Sequence, residues 1–103
     1  MLYYPPRILS WMRVSVRVFG SLMPIVGELL TIELEEGAKI GLLKRMIFER
    51  ADLRALRERE ELVGEGGRLL ILLNGRNVET LEGDETELRD GDLVILISPF
   101  AGG

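Results

Sequence analysis

Two five-residue runs, Leu69 to Leu73 and Leu93 to Ile97, contain no polar side chain. Each is too short for a helix, which needs roughly 10 residues or more, and each fits a strand that is apolar on both sides. Such strands belong inside a sheet, with neighbours on both edges. Any fold for this chain must therefore place both runs centrally in a sheet. The rest must then supply edge strands and a cover for at least one face.

The segment after Met12 supplies a strand of a different kind. Val14, Val16 and Val18 alternate with Arg13, Ser15 and Arg17, the period of a half-buried strand. Gly20 to Gly27, with Pro24 inside it, reads as a loop. Leu30, Ile32 and Leu34 then alternate with Thr31, Glu33 and Glu35, so the two strands predict an antiparallel hairpin. The period changes after Gly37. Ile40, Leu43, Met46 and Ile47 recur at three and four residues, which predicts a helix from about Ala38 to Ala51 with one buried face. A second helical pattern spans Leu53 to Val63, stopped by Gly64, Gly66 and Gly67. Asn74-Gly75 predicts a tight turn, because both residues tolerate positive φ. Val78 to Leu81 reads as a short return strand, Gly83-Asp84 and Thr86 to Leu88 as a turn or single helical turn, and Asp90-Gly91-Asp92 as a further turn. One helix on one face of a mixed sheet is an α+β architecture.

At 103 residues the chain fits one domain. Its net charge of −4 argues against nucleic acid as the main partner. No run of about 20 apolar residues is present for a membrane span. With no Cys and no His, the chain lacks a thiolate, the commonest general base and the commonest metal ligand. Residues 1–11, with Tyr3, Tyr4, Pro5, Pro6 and Trp11, lack the pattern of a signal peptide and read as an extension ahead of a domain spanning 12–98. Residues 99–103 read as a flexible tail ending in Gly102 and Gly103. A tail without Cβ atoms can enter a narrow enzyme channel and present its carboxylate there.

Three segments carry a family resemblance: Val14 to Gly20, Leu73-Asn74-Gly75-Arg76, and Asp90-Gly91-Asp92-Leu93-Val94-Ile95 leading to Ala101-Gly102-Gly103. In this order, the chain from about Met12 to Gly103 resembles the ubiquitin-like β-grasp sulfur carriers of the MoaD/ThiS group, including archaeal members that double as protein modifiers. The resemblance implies that Gly103 is adenylated by an ATP-dependent activating enzyme of MoeB/ThiF type. Conversion to a thiocarboxylate then allows sulfur transfer, in molybdopterin-type members to a molybdopterin synthase large subunit. In modifier members the adenylate leads instead to a bond with a target lysine. The resemblance further implies no bound cofactor, ATP being used by the partner, and a cytoplasmic location. Pro99, Phe100 and Ala101, with Arg13 and Arg17, are the expected partner contacts; Gly102 serves passage and Gly103 reaction. Ile97-Ser98-Pro99-Phe100 departs from the aromatic and two prolines of many molybdopterin-type members, while the charged segment Arg54 to Glu65 gives the chain their length.

A single helix covers one face of a sheet, so an uncovered apolar patch is expected on the far face, near Arg13 and Arg17, as a docking surface. The acidic residues Glu33, Glu35, Glu36, Asp84, Glu85 and Glu87 match no calcium-loop spacing and read as solvated surface. Gly64-Glu65-Gly66-Gly67 lacks the Gly-Lys-Ser/Thr ending of a phosphate loop. Lys39 and Lys44 are the only lysines and read as helix surface. Besides a carrier activated at its terminus, the residues fit an interaction module without terminal chemistry. An enzyme fits least, because no nucleophile–base pair is visible.

Overall fold

A computed structural model describes residues 10–50 and 69–98. The alternating segment forms β1 (Trp11–Phe19), and its partner forms β2 (Leu29–Glu35). Helix α2 (Ile40–Glu49) follows, then β3 (Leu70–Leu73), β4 (Arg76–Asn77) and β5 (Leu93–Ile97). A four-residue helix, α1 (Met23–Val26), interrupts the β1–β2 connection. The helix expected from about Ala38 to Ala51 is shorter at both ends, running from Ile40 to Glu49 with Arg50 as its C-cap. The helical pattern expected over Leu53 to Val63 and the glycines that follow lie outside the described residues.

The sheet order is β2-β1-β5-β3-β4. β1 pairs with β5 in parallel, and every other pairing is antiparallel. The two wholly apolar runs are interior strands, as their composition demands, and they are adjacent. The polar alternation of β1 sits beside them because only one of its faces is buried.

Even-numbered residues of β1 point toward α2 and odd-numbered ones away. Val14, Val16 and Val18 have no exposed surface. They meet Ile32 and Leu34 from β2, Val94 and Leu96 from β5, and Ile71 and Leu73 from β3. Ile40, Leu43, Ile47 and Phe48 of α2 close the core from above. Burying an aliphatic or aromatic side chain of this size contributes about 1.5–3 kcal/mol, so this face supplies most of the folding energy. The entry to α2 is pinned to the segment before β5. The Ile40 N–H donates to the Thr86 carbonyl at 2.9 Å, and the Leu88 N–H donates to that of Ala38 at 2.9 Å.

Two local readings change. The expected loop from Gly20 to Gly27 contains the turn of α1, with Pro24 within its first turn, where a missing N–H is harmless. The expected return strand over Val78 to Leu81 ends early: only Arg76 and Asn77 pair with β3. The Asn77 side chain accepts from the Glu79 N–H at 2.9 Å, and the Thr80 hydroxyl donates to the Asn77 carbonyl at 2.7 Å. These bonds favour a 3₁₀ turn over Val78–Thr80. Val78 is buried from that turn and still reaches the core.

Candidate functional site

Strand β5 carries the chain toward its last residues, and Ser98 is the final described position. Pro99, Phe100, Ala101, Gly102 and Gly103, which the sequence singles out for partner contact and reaction, lie outside the described residues. The structure therefore places their point of departure. Ser98 is buried beside the end of β1. Its N–H donates to the Phe19 carbonyl at 2.9 Å, and its hydroxyl donates to the same carbonyl at 3.0 Å.

The sheet face opposite α2 borders that point. In the register, Phe19 stands beside Ile97, and Ile97 beside Leu70. One step inward, Arg17 stands beside Ile95, and Ile95 beside Leu72. Leu29 flanks Arg17 from the other side. Phe19 is 44% exposed, Leu29 61%, Leu70 36% and Leu93 37%. This is a contiguous apolar surface with a single cation, Arg17, in its middle. Among the described residues Arg17 makes no ion pair. Exposed apolar surface of this extent is characteristic of contact with another molecule.

The two arginines expected at this surface part company. Arg17 lies within the apolar rows. Arg13 lies toward the opposite end of β1, where its guanidinium meets Glu33 at 3.3 Å. Its backbone is also engaged: the Arg13 N–H donates to Asp90 Oδ1 at 2.8 Å, and the Gly91 N–H donates to its carbonyl at 2.9 Å. The alternation of β1 could not separate them, because both occupy the same face.

The Asp90-Gly91-Asp92 turn is a fastening of the sheet. Asp90 holds β1, while Asp92 accepts from the Arg89 N–H at 2.7 Å and from the Asn74 amide at 2.9 Å. Asn74, at φ 49°, and Gly75, at φ 87°, form the β3–β4 turn that their sequence predicts. The Asn74 side-chain oxygen also accepts from the Leu93 N–H at 2.9 Å. The two short motifs thus join each other and set the register of β5 between β1 and β3.

The acidic residues singled out in the sequence are exposed, and several are paired. Lys39 Nζ meets Glu85 Oε2 at 2.6 Å, and Lys44 Nζ meets Asp84 Oδ1 at 2.7 Å. The hydrogen bond to Glu85 and the charge of that carboxylate hold the Lys39 ammonium above its ordinary pKa, with Glu82 and Glu87 adding to the effect. Among the described residues, no cluster of three or more acidic side chains is arranged to hold a metal ion. No described helix is long and apolar enough to cross a membrane.

The family model for the ThiS family matches residues 16–103. No curated protein sequence matches the chain. Among solved structures, the Haloferax volcanii HVO 2177 protein is 28% identical with a TM-score of 0.73, covering 98% of this chain and 95% of its own. A putative molybdopterin converting factor subunit 1 from Pyrococcus furiosus is 29% identical, TM-score 0.66, covering 85% of this chain and 98% of its own. Small archaeal modifier protein 1 from Methanosarcina acetivorans is 26% identical, TM-score 0.66, covering 91% and 99%. The mixed five-stranded sheet, its one main helix and this match together place the chain in the ThiS family, as a ubiquitin-like β-grasp protein of the sulfur-carrier or small-modifier kind.

Proposed function

We propose that this chain is a sulfur carrier whose Gly103 carboxylate is activated by an ATP-dependent enzyme of MoeB/ThiF type. The observation that carries the reading is the apolar outer face, which adjoins the point where the chain leaves β5 toward its diglycine. A docking surface beside the origin of a reactive end is what a carrier needs. The enzyme grips the sheet, and the five residues after Ser98 enter its active site.

The chemistry belongs to the partner. A carboxylate resists nucleophiles because it is anionic. Its attack on the α-phosphorus of ATP expels pyrophosphate and gives an acyl adenylate. Hydrosulfide from the sulfur donor then displaces AMP, leaving a thiocarboxylate in place of the carboxylate. Splitting one difficult substitution into two easier ones is the advantage of a covalent intermediate. The rigid sheet supplies orientation, and the tail supplies reach. Gly102 allows passage, while Pro99, Phe100 and Ala101 line the channel. Arg17 adds a charge contact within the docking face. Arg13 serves, at most, the rim of that surface.

The similarity to a molybdopterin converting factor subunit favours a larger acceptor subunit, a molybdopterin synthase, as the recipient of the sulfur. The similarity to a small archaeal modifier favours a second use of the same adenylate, attachment to lysines of target proteins. Intact mass tests the shared step. Incubation with the activating enzyme, ATP and a sulfur donor is expected to give the mass of a sulfur-for-oxygen exchange, lost on removal of Gly103. An unchanged mass in the full chain overturns the reading. Adding the acceptor subunit separates the two uses: sulfur transfer restores the original mass, whereas tagging leaves isopeptide-linked adducts in cell extracts.

A further inference from the structure

We propose that Ser98 and Gly20 form a positioning clamp that sets where the C-terminal residues leave the sheet, and hence where the Gly103 carboxylate arrives in an activating enzyme. The inference rests on the carrier reading above and adds the residues that orient the reacting end.

Ser98 occupies an inward-facing position of β5, in line with Val94 and Leu96. An apolar side chain would be the ordinary occupant of such a place. Instead a hydroxyl is buried there, 2% exposed, and both of its capacities are used. It donates to the Phe19 carbonyl at 3.0 Å and accepts from the Leu22 N–H at 3.0 Å. A buried hydroxyl is tolerated only with such partners. The Ser98 N–H adds a third bond, to Phe19, at 2.9 Å. The last residue before the departing segment is thus tied by backbone and side chain to two positions of a different part of the chain.

Gly20 completes the arrangement. It sits between those two partners at φ +95°, a conformation that L side chains rarely adopt. A Cβ there would overlap the Ser98 carbonyl oxygen. The Gly20 carbonyl accepts from the Met23 N–H at 3.1 Å, which starts the α1 turn and folds Leu22 over the hydroxyl. The turn between β1 and β2 therefore wraps the end of β5, and only glycine permits the contact.

The consequence is geometric. Gly103 is the fifth residue after Ser98, so the reach of its Cα from the Ser98 Cα is bounded at about 18 Å. With the origin held, docking of the outer face and arrival of the carboxylate become one event. With the origin released, docking is unchanged but arrival is spread over many positions. A misplacement of about 1 Å at a reacting centre can lower a rate by roughly 100-fold.

ATP–pyrophosphate exchange with the activating enzyme from the same organism reads this directly, with the full chain as substrate. Ser98→Ala is expected to lower kcat about tenfold or more while KM for the chain stays within about twofold. Ile32→Val, a core change distant from the exit point, provides a variant weakened in stability alone and is expected to keep both constants. One glycine inserted between Ser98 and Pro99 keeps the clamp and displaces the carboxylate by about 3.5 Å. It is expected to lower kcat in the same way, because the account requires the position of the carboxylate to limit the rate. Wild-type kcat in Ser98→Ala or in the insertion variant overturns the clamp and leaves the carrier reading standing. So does a loss in Ser98→Ala no greater than that of Ile32→Val. No exchange with the unaltered chain overturns the carrier reading, and the clamp falls with it.

Discussion

On β1, Val14, Val16 and Val18 have no exposed surface, whereas Phe19 on the other face is 44% exposed. The same contrast runs along β5, where Val94 and Leu96 are fully buried and Leu93 is 37% exposed. Apolar residues on the α2 side are explained by the core they form. Those on the opposite side are half-buried or exposed, contribute less to folding, and carry the hazard of an exposed sticky surface. The proposed function accounts for them as a docking surface. On that function, one sheet divides its work by residue parity: one face holds the fold, and the other is the proposed docking surface.

Substitutions on either side of a strand test this division. The largest effect on stability is expected from Leu96→Ala, which empties part of the core and is expected to cost about 2–5 kcal/mol in urea denaturation. Leu29→Ser on the outer face is expected to change stability by no more than about 0.5 kcal/mol. Similar losses from the two would break the comparison. Next comes binding. Phe19→Ala and Leu70→Ala are each expected to weaken binding of the activating enzyme about tenfold by titration calorimetry, with thermal unfolding close to wild type. Unchanged affinity in both would remove the docking role of that face.

Smaller effects sharpen the picture. Asp90→Ala removes the bond to the Arg13 N–H and is expected to lower stability by about 1 kcal/mol without altering partner affinity. Weakened binding would instead bring the Asp90 end of the sheet into the interface. Lys39→Met is expected to have the least effect, since its pair with Glu85 is exposed. The Lys39 pKa is raised in the fold, so whatever the pair contributes is fully present below the ordinary value of 10.5 and is lost as pH rises through the raised one. Stability curves of the variant and the parent are therefore expected to differ, if at all, below that range and to converge above it. Divergence at high pH would contradict the assignment.

Much of this was legible in the residues because parity and period are local signals. The alternation of β1, the helical spacing of Ile40, Leu43 and Ile47, and Asn74-Gly75 each carry their own instruction. What sequence could not reveal depends on partners distant in the chain. Arg13 and Arg17 share a face and a residue type, yet only Arg13 meets Glu33 and the Asp90 turn. Val78 has the composition of a strand, and the Asn77 side chain turns it into a 3₁₀ turn. Ser98 sits at the edge of an apolar run, where serine is ordinary; its bonds to Phe19 and Leu22 come from the opposite end of the domain. The one signal available was a polar residue at an inward position facing a glycine at the end of β1.

The division between faces is tested most directly by amide chemical-shift mapping of the isotope-labelled chain as the activating enzyme is added. Changes are expected at Phe19, Leu29, Leu70, Leu72, Ile95 and Ile97 and beyond Ser98, with the solvent side of α2 unaffected. Changes centred on α2 or on the Trp11 end of the sheet, with the outer face silent, would contradict the account.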